Sequence, residues 1–339
     1  MRGWATRSLA AAVGFAPGVV PAIVEGRFCS ATAAAQLDAC RFEVREDFLT
    51  AKAVCINVSD DEERNECVDE AEAARVEARA LCREQYAARR DLCGEIGEAR
   101  YDPGFDPADF DDDFTDLTTP NPFFPLAPGH HWEFAGGEER IVIEVLDETK
   151  LVEGVTCIVV NDRVEVAGEV IEDTDDWFAH ARSGDVLYCG EEVKDFETFA
   201  GDVPALPELI RIDGSFKAGR DGDKPGILFP IAPAPGEVHR QEFSAGNAED
   251  VIRILSTTYR YGVDPELDEL VPPELAELFC SAGDCVVTYD FSPLSPGAFE
   301  RKYYARGIGR FLETNPPDAE VVRLVDCNVD PRCALLPSP

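Results

Sequence analysis

Six cysteines near the start of the chain constrain its fold more than any other feature. Cys29, Cys40, Cys55, Cys67, Cys82 and Cys93 are separated by 10, 14, 11, 14 and 10 residues, a palindrome. Paired from the centre outward, their position numbers have a constant sum of 122, which describes an antiparallel hairpin folded about residue 61. The segments between them are dense in Ala, Leu, Glu and Arg, and residues 60–93 contain neither Pro nor Gly, so both arms are predicted as helices. Ser59 with Glu62 reads as a capping box at the start of the second arm, and Gly94 or Gly97 can end it. On one helix, cysteines 11 or 15 positions apart lie about 16 or 22 Å from each other. A disulfide needs Cα atoms within about 7 Å, so every bridge must cross to the other arm. The expected rungs are Cys29–Cys93, Cys40–Cys82 and Cys55–Cys67.

Six further cysteines, Cys157, Cys189, Cys280, Cys285, Cys327 and Cys333, bring the total to 12, with no C-x-x-C or C-x-x-C-H spacing for metal or haem. Cys280 with Cys285 and Cys327 with Cys333 are close enough to close small loops, and Cys157 and Cys189 fall on neighbouring candidate strands. Fifteen connectivities remain open for this set. Disulfides require an oxidising compartment, so the chain is expected to be extracytoplasmic: secreted, periplasmic or at the cell surface. Arg2 and Arg7 ahead of a short apolar stretch read as a signal peptide over residues 1–26, too short and Pro/Gly-broken for a transmembrane helix. No small-residue lipobox precedes Cys29.

A formal net charge of −36, from 67 Asp plus Glu against 31 Lys plus Arg, disfavours nucleic acid and anionic membrane as partners. The hairpin, residues 27–97, is followed by an acidic, Pro/Asp-rich stretch at residues 98–129 that reads as a linker or an extended wrapping segment. Few apolar residues occupy 102–119, so proteolysis is expected there first. Asp109, Asp111 and Asp113 are a candidate calcium set, since calcium takes several hard oxygens, although the Gly and terminal Glu of an EF-hand loop are missing. No other cofactor is expected.

From residue 130 to 339 the pattern alternates with period two, predicting an antiparallel β-rich domain that curls or closes, with a short helical insertion at 265–279. Turns are expected at Gly136 and Gly137, at Asn161 and Asp162, at 183–185 and at 221–223. The overall class is therefore α+β.

The stretches NPFFPLAPGHHWEF, ETKLVEGVTCIVVNDRVEVAGEVIEDTDDWFAHARSGDVLYCGEEVKDFE, GSFKAGRDGDKPGILFP and ERKYYARGIGRFLE resemble a family of uncharacterised secreted bacterial proteins over about residues 121–313. The resemblance implies export and a single β-rich domain, with no established activity and no functional residue to carry over. The cysteine hairpin is similar in design, not in spacing, to mitochondrial twin-cysteine helical hairpins.

No catalytic residue is assigned. The chain lacks G-x-S-x-G, H-E-x-x-H and S-x-x-K, and its four histidines are His130, His131, His180 and His239. His130 and His131 open a strand, where neighbouring residues face opposite ways, so they are poor joint copper or zinc ligands. The leading expectation is a structural or binding protein, with the hairpin offering a surface for self-assembly or an extracellular protein partner. The runner-up is a hydrolase acting on an extracellular polymer through paired carboxylates, such as those of the run Glu172-Asp173-Thr174-Asp175-Asp176 before Trp177.

Overall fold

The computed structural model describes residues 26–338, so the signal peptide expected over residues 1–26 lies, but for Gly26, outside the described residues. Two helices, α1 (Phe28–Cys55) and α2 (Asp61–Ile96), form the antiparallel hairpin, and all three expected rungs are present. Their Cα–Cα separations are 5.6, 5.8 and 5.6 Å, so the helices run level from end to end. The cap of α2 is Asp60, not Ser59: its Oδ1 accepts from the backbone N–H of Glu62 at 2.8 Å and of Glu63 at 3.1 Å. A carboxylate at that place also meets the positive end of the helix dipole.

Sixteen strands follow. The first half contains β1 (His131–Gly136), β2 (Glu139–Val152), β3 (Val155–Val166), β4 (Glu169–His180) and β5 (Val186–Glu192). Short pieces come next: β6 (Asp195–Glu197), β7 (Glu208–Arg211), β8 (Phe216–Lys217), β9 (Lys224–Phe229), β10 (Val238–Arg240) and β11 (Glu242–Phe243). The second half contains β12 (Val251–Tyr259), β13 (Cys285–Phe291), β14 (Phe299–Ala305), β15 (Gly309–Asn315) and β16 (Glu320–Cys327). The main path runs β10-β12-β13-β14-β15-β16-β1-β2-β3-β4-β5-β9-β11, antiparallel throughout. Since β10 and β11 are separated by Gln241 alone, one short segment pairs with β12 by its first half and with β9 by its second. The two ends of the sheet meet on that segment, and the sheet all but closes into a barrel. Gly226 of β9 is required at the seam, because a Cβ there would lie 2.2 Å from the carbonyl oxygen of Gln241.

The remaining disulfides are Cys157–Cys189, Cys280–Cys285 and Cys327–Cys333. The insertion is a turn-rich stretch leading into α3 (Pro273–Cys280), whose Leu275, Ala276 and Phe279 are buried, with Phe279 packed on Phe311.

Three expectations need correcting. Asn161 and Asp162 are not a turn but the middle of β3; the chain reverses at Ala167 and Gly168, both with positive φ (53° and 85°), as a tight hairpin needs. Second, β9 was not foreseen, because Pro225 and Gly226 argue against a strand in sequence. Third, of the two readings of residues 98–129, a linker or an extended wrapping segment, the first fails and the second holds. Phe110 is buried against Trp177, Val152 and Leu187 on the outer face of β2–β5, and Phe105 packs edge-on against it. Asp111 N–H donates to the His180 carbonyl at 2.9 Å, and Arg182 N–H donates to the Asp109 carbonyl at 2.8 Å, so the strap extends the sheet locally. Further on, Phe123, Phe124 and Leu126 plug one end of the barrel against Phe229 and Phe178, held by the Asn121 side chain donating to the Gly184 carbonyl.

The hairpin is also docked rather than tethered. Arg89 of α2 makes a bidentate pair with Glu249, at 2.7 and 3.0 Å, both side chains almost wholly buried. Gln85 donates to the Leu294 carbonyl and Arg253 to Glu95.

Candidate functional site

The barrel lumen carries the chemistry. Strands of a barrel point alternate side chains inward, and about a dozen strands leave more interior than side chains can fill. A cavity of about 200 Å³ remains beside the plug. Part of its wall is apolar: Phe124, Leu126, Trp132, Ile143, Phe178 and Leu228. The rest of the wall is polar, with Asp162 from β3, Asp176 from β4, Tyr188 from β5, Lys302 from β14 and Arg310 from β15.

The alternation explains which acids arrive there. Along β4, Asp176 shares the inward face with Phe178, while Trp177 is in the outer apolar cluster under the strap and stacks beneath Lys150 at 4.0 Å. The acid and aromatic that are adjacent in sequence are thus on opposite faces of the sheet. Asp173 and Asp175 point outward as well, and the Asn161 side chain donates to both.

Most of the lumen's charges have partners. The Lys302 ammonium lies 3.2 Å from Glu300, 3.4 Å from Asp290 and 3.8 Å from Glu313. Arg310 pairs with Glu313 at 2.7 Å. Tyr188 Oη is shared by Asp176 and by Glu191, the latter at 2.9 Å. One hydroxyl proton cannot serve two carboxylates, so this trio is best satisfied when it holds an extra proton. Burial, with the charges of Glu191 and Asp162, pushes the Asp176 carboxyl well up, and burial takes Glu191 up to about 8. Glu242 is also pushed well up, by burial and then by Asp250 and Glu191.

Asp162 is the exception. Burial raises its carboxyl to about 7 against the pull of Arg310, and its buried Oδ1 meets no hydrogen-bond donor among the described residues. A carboxylate oxygen left unsatisfied beside an open cavity costs free energy unless a donor enters.

The three calcium candidates are not assembled into a site. Asp111 accepts from Thr118, at 2.6 Å from its hydroxyl, and lies 3.1 Å from His180 Nδ1. Burial pushes the Asp111 carboxyl up, but the Thr118 and His180 hydrogen bonds outweigh it and hold the group below its ordinary value. Asp113 caps its own turn by accepting from Thr115 N–H and Oγ1. Asp109 contributes its backbone to Arg182. Among the described residues, the one group of three metal-capable side chains with ligand atoms within 4.8 Å is His131, Glu133 and Asp326 on the β1/β16 face. Glu133 is already engaged there by Arg140 at 2.8 Å. His130 contacts the Pro125 carbonyl and shares no site with His131.

Sequence reasoning singled out the acidic run that supplies Asp176, but missed Asp162, Lys302 and Arg310. The signal for the last two was present: single cations at inward positions of strands otherwise rich in acid and aromatic residues.

No family model, curated protein or solved structure matches the chain. Six disulfides are consistent with an extracytoplasmic protein, and no described helix is long and apolar enough to cross a membrane.

Proposed function

We propose that this is an exported binding protein whose barrel lumen holds a small molecule with an apolar body and a cationic nitrogen. The unsatisfied Asp162 oxygen, in a cavity whose other charged groups have partners, carries the reading. The cavity's two cations are already matched by Glu300, Asp290 and Glu313, so what the site lacks is a donor, not an acceptor. Trp132, Phe124 and Phe178 supply ring faces, which suit an ammonium group as well as an apolar body. An apolar cavity of about 150 Å³ accepts benzene, so ligands of one aromatic ring and a short amine arm match in size.

Polymer hydrolysis fits less well. Asp176 and Glu191 form a carboxylate pair, but they lie within a lumen plugged at one end by Phe123 and Phe124, where a polymer cannot pass through.

Calorimetric titration with phenethylamine and with phenylacetate tests the reading. Binding of the amine, at least tenfold tighter than of the acid and weakened at least tenfold by Asp162→Asn, is the expected result. Preference for the acid, or indifference to Asp162→Asn, would overturn it.

A further inference from the structure

A second cavity lies where the hairpin meets the barrel. It measures about 410 Å³, and its walls include Phe28 and Ile96 of the hairpin, Arg100 and Tyr101 of the strap, and Arg240 and Phe243 of the barrel seam. It shares no lining residue with the lumen cavity.

The charge balance at its floor is unusual for so acidic a chain. Arg240 is only 7% exposed, Arg89 5% and Glu249 2%, so two buried guanidinium groups lie near one buried carboxylate, and Arg89 alone is paired with it. That carboxylate is fully occupied: it takes both Arg89 bonds and also accepts from Gly246 N–H at 2.7 Å. Arg240 Nε and Nη1 are buried and meet no acceptor among the described residues. Aromatic rings cover the guanidinium plane, Phe243 at 4.7 Å and Tyr101 at 5.6 Å, which stabilises the cation but leaves its N–H edge unanswered. Burial lowers the Arg240 pKa, though a guanidinium starts high enough to stay charged.

Carboxylates bordering the cavity are spent elsewhere. Glu98 accepts from Ser30, through both backbone N–H and hydroxyl, and Asp102 pairs with Lys224 at 2.8 Å. The rim instead offers a second cation, Arg100, above the Phe28 ring at 4.9 Å. A buried charge with unpaired donors is costly to keep, and an entering anion removes that cost.

We propose that this cleft is a binding site for an apolar molecule ending in a carboxylate, with the carboxylate received by Arg240 and the apolar chain lying along Phe28, Ile96 and Phe243. A guanidinium presents its donors in a planar fork that matches a carboxylate, and a cleft that offers two cations, the neutral ring of His239 and no free carboxylate selects its ligand by sign. The proposal is independent of the lumen reading.

The test uses decanoate as the probe, with decanol and decyltrimethylammonium as controls, titrated calorimetrically into the oxidised full chain. Decanoate should bind at least tenfold more tightly than either control, and excess phenethylamine should not displace it. Arg240→Gln should weaken decanoate at least tenfold and Arg240→Lys less. The exposed Arg100→Gln, which leaves the buried floor intact, should weaken it by a few-fold even if Arg240→Gln folds poorly. Equal binding of decanol and decanoate, absence of decanoate binding, or unchanged affinity in Arg100→Gln and a folded Arg240→Gln would each overturn the site.

Discussion

In the hairpin, helices of 28 and 36 residues share few buried apolar side chains beyond their cysteines: Ala33, Val44, Ala71 and Leu92. The barrel, by contrast, buries Tyr303, Phe134, Phe216, Phe229 and Phe311 almost completely, and keeps a second apolar layer beneath the strap. The hairpin therefore depends on covalent rungs to limit its unfolded ensemble, while the barrel depends on area removed from water. The difference also separates what each part can do. A stapled two-helix rod has no interior for a ligand, and on it Phe42, Leu49 and Ile56 remain exposed. A barrel of a dozen strands has interior to spare.

Full reduction is the strongest way to break this comparison. With reductant, helical circular dichroism should be lost at a much lower temperature than the fluorescence of Trp132 and Trp177, both buried in the barrel. Joint loss of the two signals would mean that the hairpin is held by its docking and not by its rungs.

The next largest effect is expected from the docking contact itself. Arg89→Ala leaves Glu249 buried and unpaired, at a cost of about 3–5 kcal/mol, whereas Arg89→Leu combined with Glu249→Leu should recover most of the loss. Hydrogen exchange should show the loss concentrated at the seam around residues 240–250 and at the base of α2. If the single variant unfolds no more readily than the parent, the two parts do not share the energetics that their contact implies.

Phe110→Ala should cost about 3 kcal/mol through the cavity left under the strap. Limited proteolysis is the readout: residues 102–119 should resist cleavage in the parent and become the first site cut in the variant. Ready cleavage of the parent would restore the free-linker reading.

Legibility differed between the two regions for physical reasons. The hairpin could be read residue by residue, because disulfide length and helical rise leave one solution for six palindromic cysteines. The strands of the barrel were also largely visible through alternation. What escaped was set by contacts distant in sequence. Asn161 and Asp162 carry a turn signature, but the reversal sits at Ala167, whose positive φ no local rule assigns to alanine. Residues 98–129 read equally as a linker or a wrapping segment, because seven aspartates pull toward solvent and the phenylalanines toward a surface; burial of Phe110, Phe114 and Phe123 decides for the wrap. Arg240 is one cation in a short strand, and only the seam shows that its neighbours leave it unpaired.

A smaller effect should appear in the stability of the unliganded protein against pH. Asp162 and Glu191 have folded-state values raised to about 7 and about 8, so the folded chain holds protons there that the unfolded chain has released. Their contribution is fully present below about pH 4 and is lost as pH rises through 7 to 8. The lowered carboxyls of Asp111 and Asp330 act in the opposite sense, but they lose their contribution only as pH falls below about 4, outside the range where the raised groups titrate. Thermal midpoints measured from pH 5 to 8 should fall with pH, and less steeply in Asp162→Asn. An equal slope in the variant would remove Asp162 from the account.

The most direct test of the central claim is a titration of Trp132 emission with phenethylamine in a Trp177→Phe background, repeated between pH 6 and 8. Trp132 lines the lumen cavity and Trp177 does not. Ionisation of Asp162 around pH 7 predicts that Trp132 responds saturably and that affinity rises about tenfold across this range, a rise much reduced by Asp162→Asn, which leaves only the ionisation of Glu191 and Asp176. A Trp132 signal that does not move, or an affinity with the same pH dependence in Asp162→Asn, would contradict a lumen site built around that carboxylate.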